Sequence, residues 1–222
     1  MSISNFTELK SSIADFLNRD DLTAVIPTFI KLAEADMNRK LRHWRMESRK
    51  VALLDTQYTA FPLDFIEGIR LMLTGANEHR LELISLSELM DKRAADNTAG
   101  TPKFYAPIDG SFEVYPTPDQ DYTIEMIYYE RIESLSSSIT TNWALTYYPD
   151  IYLYGALTHS APYLGEDQRT LVWAELYQNA IDGTNSEDKQ AKSSGSGHRM
   201  RIRSFGSVSY THLRAHETPE HL

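Results

Sequence analysis

The stretch that decides the fold covers residues 147–164, YYPDIYLYGALTHSAPYL, and carries five of the 13 tyrosines with almost no charge. Pro149 suits the first turn of a helix, because its missing N–H has no partner there and its φ is already helical. Residues 151–157 are apolar or aromatic on every side except at Gly155, a composition typical of a buried helix. Gly155 is expected to let another backbone approach closely, and Pro162 to stop or kink the helix. We therefore interpret this stretch as a central core helix.

Two helices are predicted ahead of it. Apolar residues spaced 3, 4, 3 and 1 give residues 4–18 one helical face, which Ser4 or Asn5 can cap. The second helix covers residues 27–42, and the apolar residues of its inner face are Ile30, Ala33, Met37 and Leu41. Its charged residues, expected to be mostly solvated, are Lys31, Glu34, Asp36, Arg39 and Lys40. The two helices are close enough in sequence to pack as a hairpin.

A last helix is predicted to start at residues 165–168 and to run to about Gln190. Glu166 and Asp167 at its start suit the positive end of the helix dipole. Its inward residues, at helical spacing, are Trp173, Leu176, Tyr177, Ala180 and Ile181.

Residues 46–141 have the patterns of strands and turns instead. The extended segments are residues 46–60, 66–73, 80–84, 103–108, 111–115 and 122–130, with a short helix over 85–94 that Ser85 or Ser87 caps. Asp109-Gly110 between two alternating runs is a strong hairpin signal. The last three strands are expected to form an antiparallel meander.

The fold class is therefore α+β, with a helical bundle built from the N- and C-terminal helices. Residues 1–45 and 142–191 form the bundle, and residues 46–141 are an inserted antiparallel β-sandwich or small barrel. Residues 192–205 form an extended, flexible, basic C-terminal arm, rich in Gly and Ser at its start. Residues 206–222 break the preceding composition and resemble translated sequencing-adapter readthrough, so we interpret them as a non-native tail, and His212 and His216 within it as no metal site.

The charge of the chain is unevenly distributed. Its net charge is −9, but residues 1–188 hold 16 Lys and Arg against 29 Asp and Glu, whereas residues 189–222 hold 6 against 2. An acidic body argues against general binding to DNA phosphates.

The chain has no cysteine, which excludes disulfides and thiolate sites and fits assembly inside a cell. We expect no membrane span and no secretory signal.

No catalytic constellation is found in the sequence. The seven histidines are scattered, and HExxH, GxSxG, Walker and GxGxxG motifs are absent from it. We therefore predict no enzyme activity, cofactor or metal site. His159 is interpreted as a core or interface histidine rather than a catalyst. The residues predicted to serve in packing or interfaces are Tyr152, Tyr154, Gly155, His159 and Trp173.

The basic arm has two interpretations. Its cations Arg199, Arg201 and Arg203 alternate with apolar residues, so an extended strand would carry charge on one face and anchors on the other, which suits strand addition to a partner. The alternative is a disordered solubilising tail.

Four stretches in register carry a resemblance to a known family. They are residues 27–42 (PTFIKLAEADMNRKLR), residues 61–65 (FPLDF), the 147–164 stretch continued through residues 165–169 to Trp173, and the ending from Ser194-Gly195 through residues 199–203. Together they resemble the head-to-tail adaptor, or connector, proteins of tailed bacteriophages, over about residues 5–205.

The resemblance implies a structural virion protein without a catalytic site. Such adaptors assemble as a ring, commonly of twelve copies, beneath the portal protein at the head–tail junction. They extend the channel through which DNA passes without specific binding, and they dock tail or nozzle proteins. Assembly is expected in the host cytoplasm.

The C-terminal segment of such proteins tends to run along the portal. Transferred to this chain, that property gives the portal-binding candidates Arg199, Met200, Arg201, Ile202, Arg203 and Phe205. A different class also stays open, namely a tail-associated glycan-binding or cell-wall-degrading module, because phage tails carry both.

Overall fold

The computed structural model describes residues 3–75, 78–165 and 169–193. These residues confirm the α+β class, with six α-helices and two four-stranded sheets. The helices are α1 Phe6–Leu17, α2 Ile26–Lys40, α3 Leu86–Ala95, α4 Trp143–Tyr147, α5 Pro149–Leu164 and α6 Thr170–Ser193, with a 3-10 turn at Trp44–Met46. The strands are β1 Glu47–Leu54, β2 Tyr58–Ala60, β3 Phe65–Thr74, β4 His79–Arg80, β5 Glu82–Leu83, β6 Phe104–Ile108, β7 Ser111–Tyr115 and β8 Tyr122–Glu130.

Helix α5 packs against α1, α2, α4 and α6, and these helices share one apolar core. Pro149 occupies the first turn of α5 as predicted. Pro162 does not stop the helix, which continues to Leu164 and ends at Gly165, a residue with φ of 83°. At the start of α1, the cap is Asn5, whose side chain accepts a hydrogen bond from the Glu8 N–H.

Two charged residues of α2 are buried, although the sequence pattern indicates that they are solvated. Glu34 is only 3% exposed and Asp36 only 8%. The helix is covered on more than its apolar face, because the segment leading to α4 lies over Glu34 and Tyr177 of α6 lies near Asp36. Asp36 keeps its charge through ion pairs with Arg39 and Lys40, at 3.1 and 2.7 Å.

The strands form two sheets, in the orders β1-β8-β3-β4 and β2-β7-β6-β5. The hairpin predicted at Asp109-Gly110 joins β6 and β7, and both turn residues have positive φ. The predicted meander is wrong, because β8 leaves that hairpin and inserts between β1 and β3 of the other sheet. Alternation of apolar residues is the same in either arrangement, so it does not identify the neighbouring strands.

The strand predicted over residues 80–84 is divided between the sheets. Its first part, β4, pairs with β3, and its second part, β5, pairs in parallel with β6. Leu81 lies buried between the two parts and donates its N–H to the Leu71 carbonyl. The chain therefore changes sheets at a single residue.

A second apolar core lies between the sheets. Its buried residues come from both of them and are Leu54, Leu71, Leu73, Leu81, Phe112, Val114, Tyr122, Ile124, Met126 and Tyr128. Alternate residues of β8 from Tyr122 to Tyr128 belong to this core.

Candidate interaction surfaces

Tyr152 of α5 joins three elements through its hydroxyl. The side chain is fully buried, its hydroxyl accepts a hydrogen bond from Asn142 Nδ2 at 2.7 Å, and it donates to Glu34 Oε1 at 3.3 Å. Asn142 also caps α4 through a bond from the Leu145 N–H. Burial, followed by the nearby charge of Glu34, raises the pKa of Tyr152. The hydroxyl therefore stays protonated and acts as a structural donor.

Glu34 fixes the segment that leads from β8 to α4. Its Oε1 accepts the Leu135 N–H at 2.8 Å, and one turn further along α2 the Asn38 Oδ1 accepts the Ile132 N–H at 2.9 Å. Burial raises the pKa of Glu34, although its hydrogen bonds from Leu135, Ser134 and Tyr152 oppose the rise. The two α2 side chains thus join the helical part of the molecule to the exit of the sheet.

Gly155 lies where α5 meets two other helices. A Cβ atom added at this position would lie 3.0 Å from Tyr177 Cε2 and 3.1 Å from Ala33 Cβ. The close approach is therefore made by side chains of α6 and α2, rather than by another backbone.

The other packing candidates lie apart from one another. Trp173 is buried, and the Arg169 guanidinium lies over its ring at 4.9 Å. Tyr154 is half-buried against the helical core, and His159 is half-buried with its pKa lowered by burial. Leu176, predicted to face inward, is 38% exposed. These positions belong to helix packing and do not converge on one reactive centre.

The last three turns of α6 are fixed to the start of the β region. Lys192 Nζ lies 2.5 Å from Glu47 Oε1, 2.9 Å from Asp188 Oδ2 and 3.2 Å from the Tyr129 hydroxyl. Partial burial alone would lower the pKa of Lys192, but these hydrogen bonds raise it above its usual range. Asp188 Oδ1 in turn accepts the Trp44 N–H at 2.6 Å. We call Glu47, Asp188 and Lys192 the helix clamp.

Sequence reasoning missed the helix clamp. The i,i+4 spacing of Asp188 and Lys192 is a local signal for an ion pair on a helix. Their contacts with Glu47 and Trp44 depend on the tertiary fold and have no signal in the sequence. The clamp lies at the point from which the chain continues toward the predicted arm.

The arm residues Arg199, Met200, Arg201, Ile202, Arg203 and Phe205 lie outside the described residues, as do Glu166 and Asp167 at the predicted start of the last helix. Among the described residues, no group of three or more His, Asp and Glu side chains is arranged to hold a metal ion. None of the helices in this part of the chain combines the length and the apolar character needed to cross a membrane.

The buried polar groups described above all hold secondary-structure elements together. The class of the protein comes from a comparison, in which the model of the SU10 adaptor protein family matches residues 4–201. The chain therefore belongs to the SU10 adaptor family, whose members are structural phage proteins, and is a virion component. It matches none of the curated proteins compared with it.

Proposed function

We propose that this protein is a head-to-tail adaptor that forms a ring beneath the portal protein of a tailed phage. The ring extends the DNA channel and docks tail or nozzle proteins at the head–tail junction, and the virion is assembled in the host cytoplasm. The observation that carries this proposal is the family match, which spans residues 4–201 and so covers both apolar cores together with the first residues of the arm.

The helix clamp supports a role for residues 194–205 as the portal-binding arm, because residues 192 and 193, predicted to begin the arm, belong to α6. The clamp fixes the end of α6 against β1 through an ammonium group with three oxygen partners. A chain that leaves a fixed point searches a smaller volume than one that leaves a frayed helix, so it meets its binding site at a higher effective concentration. The bundle of residues 1–45 and 142–191 then serves as the base, and the β-rich residues 46–141 form the part inserted into it.

The composition of the arm supports strand addition to the portal as its binding mode. In an extended conformation, Met200 and Ile202 share one face and the three arginines share the other. Apolar anchors on one face give specificity, while main-chain hydrogen bonds to a sheet edge give affinity.

Binding to the portal protein encoded in the same phage genome tests this proposal. The wild-type chain should co-sediment with portal rings, and deletion of residues 194–205 should abolish that binding. Deletion of residues 206–222 is the matched control and should leave it unchanged. Binding that survives loss of residues 194–205 would exclude the arm, and a wild-type chain that never binds the portal would exclude the adaptor function.

Replacing the two faces of the arm separately tests the binding mode. Substituting Met200 and Ile202 with Ser should weaken portal binding at every salt concentration, because the lost contacts are apolar. Substituting Arg199, Arg201 and Arg203 with Gln should weaken it mainly at low salt.

A further inference from the structure

The turn between β2 and β3 presents an exposed leucine from a rigid frame. Leu63 has a relative exposure of 103%, the largest among the large apolar side chains that the structure describes. Below it, the rings of Phe61 and Phe65 stack with centroids 4.1 Å apart, and the Phe65 N–H closes the turn on the Pro62 carbonyl at 3.0 Å. We call Pro62, Leu63 and Asp64 the knob.

The carboxylate of the knob is also fixed. Asp64 Oδ1 accepts the Tyr128 hydroxyl at 2.9 Å, and Lys50 Nζ lies 3.1 Å from Asp64 Oδ2. The Asp64 carbonyl accepts the Arg131 N–H at 2.8 Å. A side chain held in place by so many bonds costs little conformational entropy when it binds, so the knob is preorganised for a partner.

A second surface has the composition of an interaction hot spot. The Arg45 guanidinium lies between two exposed rings, 4.5 Å from the centroid of Trp44 and 4.0 Å from that of Tyr147. Trp44 is 44% exposed and Tyr147 is 56% exposed. Trp, Tyr and Arg are the residue types that most often dominate binding energy at interfaces. We call Trp44, Arg45 and Tyr147 the platform.

The platform rests on a rigid base. The ring of His43, directly before it in the chain, is buried and stacks on Trp143 at 5.4 Å with an interplanar angle of 15°. The Trp44 N–H is held by Asp188, and the Tyr148 hydroxyl donates to Glu187 at 2.8 Å. The exposed rings therefore stand on a base fixed from α6 and lose little freedom on binding.

The two surfaces are complementary to each other. Two platforms face to face would bring two Arg45 guanidinium groups together, and like charges oppose that arrangement. Charge does not oppose contact between two knobs, because Lys50 already pairs with Asp64, and the knob–knob arrangement is therefore left to the experiment below. A knob on a platform places the apolar Leu63 against aromatic rings and sets Asp64 beside Arg45. Charge complementarity thus favours a contact between different surfaces of two copies.

We propose that the knob of one subunit seats on the platform of the next subunit. A contact between different surfaces is head-to-tail, and such contacts close into a ring when the rotation between subunits permits it. This inference rests on the proposed adaptor ring and assigns the residues of its subunit interface.

Disulfide cross-linking tests the contact directly, because the natural chain has no cysteine. The variants Leu63→Cys and Tyr147→Cys are mixed in equal amounts, bound to the cognate portal rings and oxidised. Cross-linked dimers are expected from the mixture. The matched control pairs Leu63→Cys with Met90→Cys, which is 60% exposed on α3 and should give no dimer.

Every other result of the cross-linking experiment contradicts either the knob–platform contact or the adaptor function. A mixture that binds the portal without cross-linking overturns the knob–platform contact and leaves the adaptor function standing. Cross-linking of Leu63→Cys with itself also overturns it, because it indicates a twofold contact. If the wild-type chain does not bind the portal, the adaptor function fails and this inference fails with it.

The knob–platform contact can also be tested in the assembled ring with substitutions that keep the fold. Leu63→Asp and Arg45→Glu should each lower the number of adaptor copies bound per portal ring at least several-fold. Met90→Asp should not lower it. An unchanged copy number with both substitutions would overturn the contact.

Discussion

At the scale of single residues, Glu34 is a carboxylate buried without a charged hydrogen-bond donor. It lies between α2 and the segment leading to α4, and its donors are the Leu135 N–H and the side chains of Ser134 and Tyr152. None of these donors carries a charge, so they do not fully compensate for burying a carboxylate. The pKa of Glu34 is raised for this reason.

The raised pKa predicts a pH dependence of stability. The folded chain holds the Glu34 proton more tightly than the unfolded chain, so the protonated form of Glu34 favours folding. This contribution to the free energy of unfolding is fully present below the unfolded pKa and is lost as the pH rises through the folded pKa. Glu34→Gln keeps an acceptor for the Leu135 N–H and cannot ionise. The variant should therefore lose less free energy of unfolding than the wild type between pH 5 and pH 8, measured by urea denaturation. An identical loss would contradict the assigned environment.

Removal of the acceptor should have a larger effect than removal of the charge. Glu34→Ala leaves the Leu135 N–H and the Tyr152 hydroxyl without this partner, and we expect it to cost about 1–3 kcal/mol. Urea denaturation at pH 5 measures this cost, with Glu34→Gln as the matched control. A Glu34→Ala variant as stable as Glu34→Gln would mean that the two hydrogen bonds contribute little.

The sequence identified the apolar face of α2 correctly but assigned Glu34 and Asp36 to solvent. Helical periodicity separates one buried face from the rest, and it assumes that every charged residue outside that face meets water. Here the segment before α4 and helix α6 cover a wider part of the helix. Such covering is a property of the tertiary fold, so no local pattern could have predicted it.

At the scale of elements, Gly155 allows α5 to lie against α2 and α6. Gly155→Leu should destabilise the fold by at least about 1–3 kcal/mol, because its side chain would overlap Tyr177 and Ala33. The matched control is Gly183→Leu in the exposed part of α6, where an added Cβ has no neighbour within 4 Å. That control should be neutral or stabilising by up to about 1 kcal/mol, since Leu favours the helix more than Gly does. Equal denaturation midpoints for the two variants would show that the close packing is not needed.

The helix clamp should control the order of the end of α6. Lys192→Met removes the cation that links Glu47, Asp188 and Tyr129, so the last turns of α6 should fray. Amide hydrogen exchange should become several-fold faster over residues 188–193, while exchange in α5 stays unchanged. Lys189→Met, at an exposed position of the same helix, is the control and should have little effect. Equal exchange in the two variants would assign no stabilising role to the clamp.

Local signals predicted most of the elements, whereas their arrangement in the sheets required long-range information. The Asp109-Gly110 hairpin, the Pro149 helix start and the Ser85 cap each depend on neighbouring residues, and each was correct. The position of β8 between β1 and β3 depends on strand residues at least 49 positions earlier in the chain. The knob and the platform were missed for a related reason, because exposure of an apolar residue is not visible in sequence.

At the scale of the whole molecule, charge separates the body from the arm. Residues 1–188 carry an excess of 13 acidic residues, and the arm carries Arg199, Arg201 and Arg203. A protein binds duplex DNA by neutralising phosphates with clustered cations, and each neutralised phosphate contributes about −0.9 to the slope of log affinity against log salt. In the proposed adaptor ring, an acidic channel wall would therefore let DNA slide past it.

This separation predicts weak DNA binding that depends on the arm alone. At about 0.15 M salt the full chain should not retard duplex DNA in a gel, because three cations supply a slope no steeper than about −3. Any retardation at low salt should disappear when Arg199, Arg201 and Arg203 are all replaced by Gln. Replacing Arg49 and Arg70 instead should change nothing, because both are already paired with Glu125 on the outer face of the sheet. DNA binding that survives the arm substitutions would place a nucleic-acid surface on the body, against the proposal that DNA passes the adaptor ring without specific binding.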